Sequence, residues 1–143
     1  MTEETKQPRR VSQSEARAIE SVWTNRDYLM MSTEKRLAWL YVLTGPHTEN
    51  AAPGLFRLTV QEICDGADLL NREFITQCVE HFVRLGWLKV DAENGLMRVV
   101  GVIVDVEDDD LSTAALKALD GLPDGQFVSE YRTECVWALP LDD

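Results

Sequence analysis

The chain has 143 residues, 45% of them hydrophobic, and a formal net charge of −11. That length suits one domain with at most a small appendage, and that apolar share argues against wholesale disorder. No apolar run approaches the roughly 18–20 residues that span a bilayer, and the opening stretch MTEETKQPRRVSQSEAR lacks the apolar segment of a secretory signal. A cytoplasmic protein with no membrane partner is expected.

The charge is unevenly placed. Residues 105–143 hold eleven acidic and two basic side chains, a net −9 of the total −11. The rest is close to neutral, which neither announces nor forbids nucleic-acid binding. The three cysteines (Cys64, Cys78, Cys135) form no CxxC pair. They read as free thiols, with Cys64 and Cys78 as small core fillers. Ligand spacing for a metal is missing, so no metal and no cofactor are expected.

Residues 1–10 lack a periodic pattern and read as a tail. Ser12 with Glu15 makes a capping box and predicts a helix from about Gln13 to Val22. Trp23, Tyr28, Leu29 and Met31 then form an apolar arm. Ser32 is an N-cap, and a helix follows from Thr33 to about Thr44. Its middle, LAWLYVL, is apolar nearly all round, so it needs cover on more than one side, from the arm or from another subunit. Gly45 suits the left-handed position after a helix, and Pro46 prevents its resumption. The loop GPHTENAAPG follows, with His47, Thr48 and Asn50 read as turn residues before they are read as a site.

Gly54 to Leu58 predicts a short strand. Thr59 with Glu62 is a second capping box, opening a helix from Val60 to Cys64 or Gly66. Asn71 caps a third helix reaching Leu85, whose apolar positions Ile75, Cys78, Val79, Phe82 and Leu85 keep helical spacing. Gly86 ends it. WLKVD and LMRVVGVIV are two strands joined at Asn94-Gly95, a hairpin signal. The acidic linker DVEDDDLS comes next. Ser112 is then the expected cap of a helix through Leu119, GLPDG breaks it, and QFVSEYRTECVWAL forms another.

The central order is helix, short strand, helix, turn, helix, hairpin. That is the order of the winged-helix variant of helix-turn-helix. The fold class is therefore α+β, mostly helical. It divides into an N-terminal tail and arm (residues 1–21), a winged-helix domain (22–104) and an acidic linker with a C-terminal helical appendage (105–143).

Particular residues sharpen this. Trp23 and Tyr28, Met31-Ser32 with Arg36, Leu43-Thr44-Gly45-Pro46-His47 with Asn50, Gly54-Leu55-Phe56-Arg57-Leu58, Leu69-Leu70-Asn71, Leu85-Gly86-Trp87-Leu88, and Asp91 with Gly95 follow one another over residues 22 to 104. In order and spacing they resemble the N-terminal winged-helix domain of phage replisome organisers and DnaD-type primosome proteins. The resemblance implies work in DNA replication initiation: origin recognition, self-assembly as a dimer or higher oligomer, or help in loading a helicase. It also implies that the 43–58 stretch connects the first helix of the domain to its first strand.

For DNA contact, the third helix would enter the major groove and the hairpin would touch the backbone. The candidates are Asn71, Arg72, Thr76, Gln77 and Arg84 on the helix, with Lys89, Asn94 and Arg98 on the hairpin. Glu73 and Glu80 on the same helix are unsuited to phosphate. Trp23, Tyr28, Trp39 and Val42 are the candidate arm or oligomer contacts. The opposing reading is an acidic interaction module that binds no DNA. It would hold a replication or host protein through the acidic C-terminal segment, as a scaffold, a regulator or an inhibitor with DNA-like charge. The apolar residues of that segment, Leu116, Leu119, Leu122, Phe127, Val128, Tyr131, Val136, Trp137 and Leu139, are read first as packing on the chain's own domain and second as capturing a partner or subunit. No enzyme is expected: neither His47 nor His81 has a nearby nucleophile, and there is no phosphate-binding glycine loop.

Overall fold

A computed structural model describes residues 12–69 and 71–138, with the side chains of 136–138 excepted. The expected tail at 1–10, Leu70, Leu139 and the side chains of Val136 and Trp137 lie outside the described residues. The fold is α+β. Helices α1 (Gln13–Ser21), α2 (Arg26–Leu29) and α3 (Thr33–Thr44) come first, then a 3-10 turn at Pro46–Thr48 and strand β1 (Leu55–Arg57). Helices α4 (Val60–Gly66) and α5 (Arg72–Arg84), strands β2 (Leu88–Asp91) and β3 (Leu96–Val99), and helices α6 (Asp109–Asp120) and α7 (Gln126–Ala138) complete it.

The helix starts are set by side chains that accept the first free N–H groups. Ser12 with Glu15 and Thr59 with Glu62 form complete capping boxes, while Asn25, Ser32 and Asn71 cap α2, α3 and α5 singly. Helix α5 stops at Gly86, which takes φ +79°. The Gly86 and Trp87 N–H groups donate back to the Val83 and Phe82 carbonyls at 3.0 Å each, closing the helix end.

Four local expectations are corrected. Gly45 is extended, at φ −71° and ψ 175°, instead of left-handed, because a residue before proline is pushed out of the helical region. Glycine suits the position sterically: a Cβ there would lie 2.7 Å from the Tyr41 carbonyl oxygen. The hairpin loop is longer than Asn94-Gly95, since Asp91 pairs with Leu96 across Ala92, Glu93, Asn94 and Gly95. The Asp91 carboxylate shapes it by accepting from the Asn94 N–H and side-chain amide. The second hairpin strand ends at Val99, and the chain turns at Gly101 with φ +84°. Finally α6 starts at Asp109, capped by Asp108 and not Ser112. The carboxylates of the supposed linker thus begin the helix, where its dipole favours negative charge.

The strands form one antiparallel sheet in the order β1-β3-β2. Its register puts Leu55, Arg57, Lys89, Asp91, Leu96 and Arg98 on one face, and Phe56, Leu88, Val90, Met97 and Val99 on the other. The second face joins α3, α4 and α5 in a core built on Trp39, Val42, Ile63, Ile75, Cys78 and Phe82. Tyr28 and Met31 of the arm enter that same core. The first face is also covered. Leu55 and Leu96 pack with Ala115, Leu119, Val128 and Tyr131 of α6 and α7. All four residues of β3 are consequently buried.

Candidate nucleic-acid interface

Helix α5 turns its Ile75-Cys78-Val79-Phe82 stripe into the core. Asn71, Arg72, Glu73, Gln77, Glu80 and Arg84 are exposed, and Thr76 and His81 are half-buried. The spacing of Glu73, Gln77, Glu80 and Arg84 puts them in one outward row. That row holds two carboxylates and one guanidinium, with Arg72 and Thr76 to one side and His81 to the other. Asn71 and Thr76 are partly committed to the helix itself. Asn71 Oδ1 accepts the Phe74 N–H at 3.0 Å, and the Thr76 hydroxyl donates to the Arg72 carbonyl at 2.9 Å.

The hairpin candidates are engaged by the chain's own C-terminal segment. Arg98 is 3% exposed, paired with Glu134 and seated with its guanidinium 4.9 Å from the Tyr131 ring centroid. It therefore does not belong to an exposed phosphate-binding set. The reason is its strand: β3 is the central strand of a sheet covered on both faces. Lys89 sits 3.6 Å from Glu130, one helical turn from Glu134. Arg57, on the same sheet face, donates to the Gly121 carbonyl at 2.9 Å. Asn94 is held in the hairpin loop by Asp91.

Of the residues assigned to arm or oligomer contact, Tyr28, Trp39 and Val42 are buried inside this chain. Trp39 packs between Phe82 and Trp87 at centroid distances of 4.9 and 5.2 Å. The arm is thus the second cover of α3, and these three residues are not available to another subunit. Trp23, at 67% exposure, remains on the surface.

The connector residues serve the connector. His47 Nε2 donates to the Val42 carbonyl at 2.7 Å, and the His47 ring packs edge-on to Phe56. The Thr48 hydroxyl donates to the Gly45 carbonyl at 2.6 Å, and Asn50 takes a left-handed φ of 57°. Gly54 is required by both conformation and space. It has φ +78°, and a Cβ would lie 2.6 Å from the Val102 carbonyl oxygen. A groove of about 1090 Å³ runs between this connector, β1 and α6.

Reasoning from the sequence passed over Lys35. Its ammonium donates to His81 Nδ1 at 3.0 Å, linking the start of α3 to the last turns of α5. The His81 pKa lies below its ordinary value, first through burial, then through the positive charges of Lys35 and Arg84, with Asp27 opposing. The lowering favours the neutral ring, whose Nδ1 can then accept the Lys35 N–H. No local pattern in the sequence links positions 35 and 81. Among the described residues no helix is long and apolar enough to cross a membrane. Compared with family models, curated proteins and solved structures, the chain matches none.

Proposed function

We propose that the chain is a winged-helix protein that binds DNA through α5 and acts in replication initiation. The observation that carries the winged-helix part is topological. The order α3-β1-α4-α5-β2-β3, with strands arranged β1-β3-β2, is compatible with the winged-helix plan, and the polar row of α5 is exposed. The replication part rests on the residue pattern between Trp23 and Gly95 that resembles replisome organisers. Arg72, Gln77 and Arg84 are the exposed side chains suited to contact bases or phosphates. Self-assembly belongs to the same reading and falls to exposed arm residues such as Trp23 and Met30.

Fluorescence anisotropy with labelled duplex and single-stranded DNA across a salt series tests this. The expected result is binding that weakens steeply with salt and drops when Arg72 and Gln77 are both changed to alanine. Absence of binding to either DNA at low salt would overturn the DNA part. A strictly monomeric protein in light scattering would remove self-assembly.

A second reading has an observation of its own. Two glutamates of α7 neutralise Lys89 and Arg98, and two more stand in the outward row of α5. Both favour an acidic module that binds a basic protein surface. Failure to bind DNA, together with salt-sensitive retention of a basic protein partner, is the outcome that selects it.

A further inference from the structure

The DNA-binding reading leaves open where the phosphate backbone is held. In the winged-helix plan the hairpin is the expected place, but here its cations are already engaged. Lys89 and Arg98 are paired with Glu130 and Glu134, and Arg57 is bonded to a carbonyl. A phosphate would have to displace these partners. Among the described residues, Lys35, Arg72 and Arg84 make no ion pair.

Two of these three meet at one place. Lys35, in the first turn of α3, reaches across to His81. Arg84 lies one turn beyond His81 on α5, at the spacing that makes side chains neighbours. A lysine in a first turn works against the helix dipole, so its position does not help α3 form. Burial and two neighbouring cations hold His81 neutral, and it positions Lys35 by accepting one of its three N–H bonds. The other two are left for a ligand. Asp27 from α2 opposes these cations at His81, while Glu34 adjoins Lys35 and Glu80 adjoins His81 along the chain. Glu80 stands four residues before Arg84 without forming an ion pair with it.

We propose, resting on the DNA-binding reading above, that Lys35 and Arg84, with His81 positioning Lys35, hold a phosphate of the DNA backbone at the α3–α5 junction. This cluster takes the role that the hairpin would otherwise have. Lys35 and His81 thus join α5 in one contact surface that runs from Asn71 and Arg72 to Arg84.

The test is duplex anisotropy across a salt series with the full chain and three single variants: Lys35→Gln, Arg84→Gln and Lys89→Gln. Each phosphate contact removed should weaken binding about three- to tenfold at low salt and lower the slope of log affinity against log salt by about one. Lys35→Gln and Arg84→Gln are expected to show both effects, with Lys89→Gln staying within twofold of the wild type. Arg84 is exposed, so its variant keeps the test open if Lys35→Gln disturbs the fold, which circular dichroism would report. Loss of affinity in Lys89→Gln with both other variants unchanged would return the phosphate contact to the hairpin. That result would sink this inference and leave DNA binding standing. Displacement of the duplex by inorganic phosphate, beyond chloride of equal ionic strength, would overturn it in favour of a small-anion site. No binding by the wild type would overturn both the inference and the reading on which it rests.

Discussion

Arg98 shows how one side chain can change role with its surroundings. Its guanidinium is buried, faces the Tyr131 ring and meets the Glu134 carboxylate, while its Nε has no hydrogen-bond partner. Glu134 is 47% exposed, so the two partners pay unequal desolvation. Removing the carboxylate strands a buried cation, whereas removing the cation lets the carboxylate return to water. Glu134→Gln is therefore expected to lower unfolding free energy by about 2–3 kcal/mol, and Arg98→Met by no more than about 1 kcal/mol. Methionine keeps the apolar stem against Tyr131. Urea denaturation of the two variants checks the order, and a larger loss for Arg98→Met would refute it. A signal for this burial was present in the sequence. The strand itself, LMRV, is apolar on both faces apart from Arg98, as a strand covered on both faces requires, and a lone arginine there is poorly placed to meet solvent. Placing Arg98 on the hairpin did not by itself show that its strand would be covered on both faces.

At the scale of elements, the local code was largely legible. Ser12, Ser32, Thr59 and Asn71 mark helix starts because a short side-chain oxygen can satisfy a free N–H without help from tertiary structure. The apolar spacing of α5 marks its buried face for the same local reason. Asn71 carries two proposed roles that can be separated. Asn71→Ala removes the cap and is expected to destabilise the fold by about 1 kcal/mol. Asn71→Asp keeps an acceptor for the Phe74 N–H and should preserve stability, yet it adds a negative charge at the edge of the proposed contact surface. Weakened DNA binding in Asn71→Asp at unchanged melting temperature supports a contact role. Equal binding by wild type and Asn71→Asp would leave Asn71 with the cap alone. The start of α6 misled because Ser112 and Asp108 are both competent caps. The longer helix also brings Leu111 against the cluster that holds Ala115 and Leu119.

Across the whole molecule, the decisive feature is the seating of α6 and α7 on the sheet. Tyr131 is fully buried there, and its pKa is driven far above the ordinary tyrosine range, chiefly by burial. Its oxygen accepts the Val104 N–H at 2.9 Å and its hydroxyl donates to the Pro53 carbonyl at 2.8 Å. One side chain thus ties the C-terminal helix to the connector before β1 and to the chain leaving β3. Tyr131→Phe would leave a buried amide and carbonyl without these bonds, at an expected cost of about 1–3 kcal/mol. Far-UV circular dichroism and tryptophan fluorescence should still report one coincident transition, because Leu55 and Leu96 share a core with Leu119 and Val128. Two separate transitions would make residues 105–138 an independent unit. Deleting that segment would uncover Leu55 and Leu96 on the sheet.

By itself the sequence determined the order of the elements, most of their ends, the core face of α5 and the turn roles of His47, Thr48 and Asn50. Those are contests between neighbouring groups, decided by capping, periodicity and backbone preference within a few residues. Tertiary structure alone decided what covers α3, that the acidic end lies on the sheet and neutralises Lys89 and Arg98, and that Lys35 meets His81. These outcomes join residues 36 to 46 positions apart in two cases. They depend on which apolar faces find each other, and no spacing rule along the chain contains that information.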